Sequence, residues 1–464
     1  MSAVGLSSML RWFRARMEAG LFSALLVALF PLLVVRAGMR GWNSPAVRAL
    51  LVRWRRFLVH GLDDLRVACW PGIRFERAGD IWFHVALIEL FAVLNATSRT
   101  VRAAAVSGVL VIKLGHFGDT LHIFPMMRAL WKQRAGERVD LLVGPWCADL
   151  ARIYETHDEV LVQAPRWGSL NRGGKMGRRS IGREILWLLK LRRRNYRIVI
   201  SSTAPILVEV LMMYALRAGR WVGTTLPPHL YEPEGAAVLV PYDSKMHEAD
   251  RLMGFLRLLD LSGGPADLYY PLSPEAIAAA EKMLREGGIP AGGRYAVLCP
   301  GAGWPGKQWL PERFAEVGNR LRGQGDLSVV LVGSPGERAL CEEVARAMGG
   351  GAIQLAGRTT LDQLAAILSG ASLFVGNDSG PMHVAACFNV PAVIFFGPSI
   401  ASKWAPRHAA ARYLQHEDCS GCIGWHYRAA CLHENRCMKA IQVNEAWAAV
   451  QAVWKSKEQE KGDS

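Results

Sequence analysis

At 464 residues, with 51% apolar and 20% charged residues, the chain has enough apolar surface for two or three packed domains and falls outside the intrinsically disordered class. Its 55 Lys and Arg against 40 Asp and Glu give a formal charge of +15, which implies anionic company: nucleic acid, phospholipid head groups or phosphorylated sugars. The nine cysteines are scattered and no small-residue cleavage site cleanly follows the first apolar run, so a reducing compartment is expected and not a secreted disulfide framework.

Residues 1–105 hold fourteen arginines, no lysine and six acids around two apolar blocks, Leu21–Val35 and Ile81–Leu94. Each block is short of the roughly 20 residues a membrane-spanning helix needs, and Pro31 interrupts the first. Interfacial residue types, among them Trp12, Trp42, Trp54, Trp70 and Trp82, favour a helical extension lying on or dipping into a membrane. A soluble helical extension packed on the body is the alternative.

From residue 106 apolar runs alternate with amphipathic stretches. Strands are predicted at Val109–Leu114, Val139–Val143 and Ile198–Ser201, with helices at Thr120–Trp131, Ile181–Leu191 and Ile206–Ala218. After the linker-like Leu261–Pro265 the rhythm restarts. Strands are predicted at Tyr295–Cys299, Leu327–Val332, Ile353–Leu355, Leu373–Val375 and Ala392–Phe396, separated by helices at Pro311–Leu321, Glu337–Met348, Leu361–Leu368 and Pro381–Phe388. The alternation implies an α/β fold of two doubly wound, Rossmann-like domains, 106–265 and 266–464, facing one cleft and preceded by the 1–105 extension. Ligands bind outside the carboxyl ends of strands in such sheets, so the loops after strands carry the functional candidates.

The first of these loops places Asp119 at a helix start after Gly115 and Gly118, where a carboxylate serves either as a cap or as a general base. The next, Cys299–Pro311, contains Gly301-x4-Gly306-Lys307, nearly a P-loop. Gln308 stands where a Ser or Thr would ligate magnesium, and Pro311 places the helix start about four residues beyond Lys307. Lys307 therefore reads as a loop lysine, either a phosphate clamp or solvated. In the third loop Glu337 would accept a ribose hydroxyl or complement a helix dipole, and in the fourth Thr360 and Leu361 would supply backbone contacts around a base. Finally, Asn377-Asp378-Ser379-Gly380 sets a carboxylate, a hydroxyl and unpaired N–H groups in one small volume, suited to a nucleotide-sugar or simply to an ordinary helix cap.

Taken in order, Leu-Gly-His-Phe-Gly-Asp119-Thr-Leu-His, Pro-Gly-Ala-Gly-x3-Lys307-x-Trp-x-Pro-Glu-Arg-Phe, Leu-Ala-Gly-x-Thr-Thr-Leu, Gly-Asn-Asp378-Ser-Gly-Pro-Met-His383 and Phe-Gly-Pro398 resemble glycosyltransferase family 9, the ADP-heptose:lipopolysaccharide heptosyltransferases, over residues 107–450. The resemblance implies a GT-B architecture and an inverting transfer with no cofactor or metal required. It makes Asp119 the base on the acceptor hydroxyl, Lys307 the clamp on the departing diphosphate and Asp378 the contact to donor sugar hydroxyls. Ser379, Gly380 and the amides up to His383 would hold phosphate. It also implies a nucleotide-sugar donor, an anionic glycolipid acceptor and a cytoplasmic site; with the 1–105 extension, which is not part of the usual enzyme, a peripheral or monotopic place on the inner membrane is expected.

Eleven basic residues between Arg166 and Arg197, against only Glu184, include Arg172, Lys175, Arg178, Arg179 and Arg183. The resemblance implies that this region meets the anionic acceptor; a solvated helix face or a nucleic-acid patch is the alternative, though no nucleic-acid module accompanies the charge. Ser201-Ser202-Thr203-Ala204 departs from the Asp that members commonly carry after this strand. Cys419-x2-Cys422-x8-Cys431-x5-Cys437 has spacing suited to structural zinc or iron, with disulfides or free thiols as alternatives; similar cysteines occur in some relatives of the second-heptose type. Other readings of the whole chain are the same scaffold with another donor or a protein acceptor, and a non-catalytic nucleotide-binding membrane protein.

Overall fold

The computed structural model describes residues 108–163, 181–202, 218–225, 237–241, 245–324, 327–416 and 433–462, with a few isolated positions between them. Residues 1–107 lie outside this set, and so does the membrane expectation attached to them. Among the described residues no helix is long and apolar enough to cross a membrane.

Two six-stranded parallel sheets organise the chain. The first contains β1 (Val109–Lys113), β2 (Val139–Val143), β3 (Glu159–Val162), β4 (Ile198–Ser201), β5 (Arg220–Thr225) and β6 (Ala237–Pro241), in the order β3-β2-β1-β4-β5-β6. The second contains β7 (Tyr295–Cys299), β8 (Ser328–Leu331), β9 (Ala352–Gln354), β10 (Leu373–Asn377), β11 (Ala392–Phe396) and β12 (Ala411–Gln415), in the order β12-β11-β10-β7-β8-β9. Renumbered from its own first strand and read from the β9 edge, the second order is the same as the first, the doubly wound dinucleotide-binding arrangement. In each sheet the order reverses between the first and fourth strands, β1 beside β4 and β7 beside β10. The central strands are buried on both faces, which explains why Val-Leu-Val-Ile-Lys and Tyr-Ala-Val-Leu-Cys are near-continuous apolar runs.

Two compact units hold these sheets, and they interleave along the chain. The second unit carries β7–β12 and also takes in His116–Gln133 and Asp149–Thr156. One helix predicted over Thr120–Trp131 is two in the structure, Phe117–Leu121 and Ile123–Gln133. Pro125 has no N–H to give the carbonyl of Leu121, so the ladder breaks and His122 sits at the joint.

The second unit's core is built around Trp309, Phe314 and Phe395, with Trp309 fully buried and 4.2 Å, centroid to centroid, from Phe395. The C-terminal helix Val443–Gly462 closes this core with Ala446, Val450 and Val453, a helical repeat along one face. Trp309 donates its indole N–H to the carbonyl of Ile441, 3.0 Å away, and so ties the loop after β7 to the C-terminal segment.

Candidate functional site

The reversal between β7 and β10 places their two following loops side by side, and Asn377 stitches them together. Its side-chain carbonyl accepts from the Trp309 N–H at 3.0 Å, while its amide donates to the carbonyl of Pro300 at 2.8 Å. The loop after β7 is thereby fixed at two points, and Lys307 ends a short turn, Pro305–Lys307, before the helix Pro311–Arg322 begins. This is the placement that Pro311 implies: the lysine lies in the loop, away from the helix.

Lys307 Nζ donates to Asp378 Oδ2 at 2.6 Å, and the same oxygen accepts from the Ser399 hydroxyl. Asp378 is 5% exposed. Burial pushes its carboxyl up, yet the Lys307 charge and the hydrogen bonds from Lys307 and Ser399 outweigh burial and hold it below the usual aspartate range. The result is a desolvated ion pair whose ammonium is half-sheltered and held by an acceptor that cannot drift. Ser399, directly after the quoted Phe-Gly-Pro398, is a member of this group that the motif reading missed.

Neither Asp378 nor Ser379 caps the following helix, Gly380–Ala386, with its side chain. Ser379 occupies the N-cap position without a capping hydrogen bond, and its hydroxyl lies 3.9 Å from the Cys299 thiol. Pro381 brings no N–H, so the free backbone donors at this end are fewer than a generic helix start supplies. On the loop after β8, Glu337 accepts from the Ser334 N–H at 2.7 Å, and a Cβ on Gly301 would meet its carboxylate at 2.2 Å. The absence of a side chain at 301 leaves room for that carboxylate over the β7 loop. Thr360 caps the helix Leu361–Ser369, its hydroxyl accepting from the Gln363 N–H at 3.2 Å.

Asp119 lies on the helix Phe117–Leu121, half-buried, and accepts weakly from the His116 N–H at 3.3 Å. This helix packs on Gly380–Ala386 through two reciprocal glycine contacts. A Cβ on Gly118 would stand 2.3 Å from His383 Cδ2, and one on Gly380 would stand 2.8 Å from Phe117 Cδ1. Gly118→Ala is therefore expected to lower stability by about 1–3 kcal/mol, the usual cost of overpacking, read as a drop in the urea midpoint; an unchanged midpoint would mean the ring is not held there.

Of the other predicted residues, Arg172, Lys175, Arg178 and Arg179 lie outside the described residues, and Arg183 falls within the helix Ile181–Arg192. Cys419 and Cys422 also lie outside; Cys431 is half-buried and Cys437 is buried against Gly397. Among the described residues no cluster of three or more potential metal ligands occurs. Within the Ser201–Ala204 stretch, Ser202 donates its hydroxyl to the carbonyl of Ile112 at 3.0 Å and so serves the first sheet.

The sequence profile of "Glycosyltransferase family 9 (heptosyltransferase)" matches residues 190–433. The chain is 36% identical over 123 residues to lipopolysaccharide heptosyltransferase 2 of Escherichia coli, a match spanning 25% of this chain and only 35% of that relative. It is 26% identical over 301 residues to lipopolysaccharide heptosyltransferase 3 of the same organism, spanning 63% of this chain and 83% of the relative. The glycosyl transferase family 9 structure from Veillonella parvula superposes with a TM-score of 0.61 at 20% identity, covering 75% of this chain and 97% of that one, a likeness of fold. The fold is GT-B, and with the profile matching more than half of its length the chain belongs to glycosyltransferase family 9, the heptosyltransferase family.

Proposed function

We propose that this protein is an inverting, metal-independent transferase that moves a heptose-like sugar from a nucleotide-diphosphate donor, ADP-heptose, to a lipid-linked core oligosaccharide of lipopolysaccharide. The observation that carries the reading is the Lys307–Asp378 pair at the carboxyl ends of β7 and β10, in one unit with the helix bearing Asp119.

In this reading the acceptor hydroxyl oxygen attacks the anomeric carbon on the face opposite the diphosphate. Asp119 takes the hydroxyl proton, the new glycosidic bond forms, and the bond to the diphosphate oxygen breaks with its electron pair leaving on phosphate. Inversion follows from that approach. Lys307 meets the charge that develops on the departing diphosphate, and because Asp378 already holds its ammonium in place, little reorganisation is needed as the bond breaks. Asp378 would contact donor sugar hydroxyls, Ser379 and Gly380 would approach the phosphates with His383 behind them, and Glu337, Thr360 and Leu361 would border the nucleoside. The basic stretch containing Arg172, Lys175, Arg178, Arg179 and Arg183 would face the anionic acceptor, at the cytoplasmic surface of the inner membrane. A zinc or iron held by Cys419, Cys422, Cys431 and Cys437 would be structural, since a closed four-thiolate site leaves no position open to substrate.

A thermal-shift screen of nucleotide-sugars tests the donor assignment, because a ligand that binds only the folded chain raises its melting point by mass action. ADP-heptose is expected to give the largest rise, with or without magnesium. A larger rise with a uridine or guanosine diphosphate sugar would overturn the donor assignment, and a rise that needs magnesium would overturn the metal-independent reading.

A further inference from the structure

Behind the donor turn lies a buried group that the transfer chemistry above leaves without work. His122 and His383 are 2% and 3% exposed, and their rings meet through His122 Nε2 and His383 Nδ1 at 3.1 Å. The rings stand 4.8 Å apart, nearly perpendicular, and Trp404 closes on both from 5.7 and 6.2 Å. His247 lies edge-on to His122 at 5.6 Å, its own Nε2 3.1 Å from the carbonyl of Ala405.

The placement of the two partners gives the pair its meaning. His122 is the joint residue directly after the helix that carries Asp119. His383 belongs to the helix that begins immediately after Asp378 and Ser379, and its ring lies on Gly118, the neighbour of Asp119. Resting on the proposed transfer reaction, we propose that the His122–His383 hydrogen bond is a positioning device: it fixes the helix bearing the base against the helix bearing the donor contacts, so that Asp119 is aimed when the donor is bound.

An imidazole-to-imidazole bond requires one ring to donate and the other to accept, so it exists only while at least one ring is neutral. The environment provides that state. Burial lowers the pKa of His383 and Lys307 lowers it further, while Asp378 and Asp119 act in the opposite direction without prevailing. His383 is thus a neutral hinge pin, its ring turned onto Gly118. Its assigned work is placement, and its loss should appear in turnover and spare nucleotide affinity.

The test uses the full chain with His122→Gln, which keeps a bonding group at similar reach, His122→Leu, which removes it, and Asp119→Asn as the reference for the base. His122→Leu is expected to lower kcat by about 100-fold, the scale of a roughly 1 Å misplacement, with ADP affinity by calorimetric titration changed less than about threefold. His122→Gln is expected to recover most of that loss. Adding His383→Leu to His122→Leu should cost little more, because the two residues act through one bond. If the leucine variant does not fold, the Gln and Leu comparison at His383 replaces it. Wild-type kcat in His122→Leu overturns the inference, as does an equal fall of kcat and ADP affinity in the Leu and Gln variants alike. Should Asp119→Asn abolish transfer while the histidine variants keep it, only the positioning role fails. Should Asp119→Asn itself keep transfer, the base assignment fails and the histidine role with it.

Discussion

Lys307→Ala is expected to act on turnover and on folding at once, in ways that pH separates. Loss of one preorganised donor to the departing diphosphate should reduce kcat by roughly 100- to 1000-fold, about 3–4 kcal/mol of barrier. The same substitution leaves Asp378, 5% exposed, as a buried carboxylate without its cation, a defect worth about 3–5 kcal/mol of stability. In the wild type the native pKa of Asp378 lies below its unfolded value, so its contribution is complete above the ordinary aspartate pKa of about 3.9 and is lost as pH falls through the depressed native value. In Lys307→Ala burial is opposed by His383 and the Ser399 hydrogen bond without the lysine, the native pKa is expected to rise above the unfolded one, and the sign reverses. The variant's deficit should then shrink as pH falls towards about 4. Urea midpoints measured from pH 4 to 7 check this, and Asp378→Asn added to Lys307→Ala should return stability without returning turnover. A lysine variant that loses turnover with an unchanged midpoint would show that the buried pair is not the source of its placement.

Asp119→Asn is expected to be the most selective lesion. Removing a positioned general base costs about 100- to 10,000-fold in rate. The amide oxygen can still accept from the His116 N–H, so the helix start, its packing on Gly380–Ala386 and the donor loops should be preserved. Transfer should fall to a trace while ADP-heptose affinity, measured by titration, stays within about twofold of wild type. Equal losses of affinity and kcat would instead assign Asp119 to binding.

Much of this arrangement was legible in the sequence because the parallel strands are buried on both faces. Continuous apolar runs therefore mark β1, β2, β7, β10 and β11, and Gly-rich loops after them mark the candidates. Strands with exposed positions left weaker traces. The Ala-Arg-Tyr-Leu-Gln of β12 and the Glu-Val-Leu-Val of β3 are edge strands with little full burial, and neither stands out as an apolar run. The amphipathic helices Glu248–Arg257 and Pro274–Glu286 passed unnoticed for a related reason: only one face of each is apolar.

Individual site residues were readable loop by loop, but their partnerships were not. Lys307 and Asp378 are 71 positions apart and His122 and His383 are 261 apart, so each pairing waits on the strand order that sets β7 beside β10 and on the interleaving that returns His116–Gln133 to the second unit. Pro125 is the exception: a proline more than one turn into the predicted helix Thr120–Trp131, where it breaks the ladder unless a new helix starts just before it, carries the information that the helix restarts there and hence that His122 is a joint.

Incubating the full chain with ADP-heptose and a lipid-linked core acceptor in EDTA, with ADP release and acceptor mass followed together, bears on the whole scheme at once. Wild type should release one ADP per heptose added, only when acceptor is present and at a rate indifferent to EDTA, with both signals lost in Asp119→Asn and Lys307→Ala. Release of ADP that requires a divalent metal, or heptose transfer by Asp119→Asn at the wild-type rate, contradicts it.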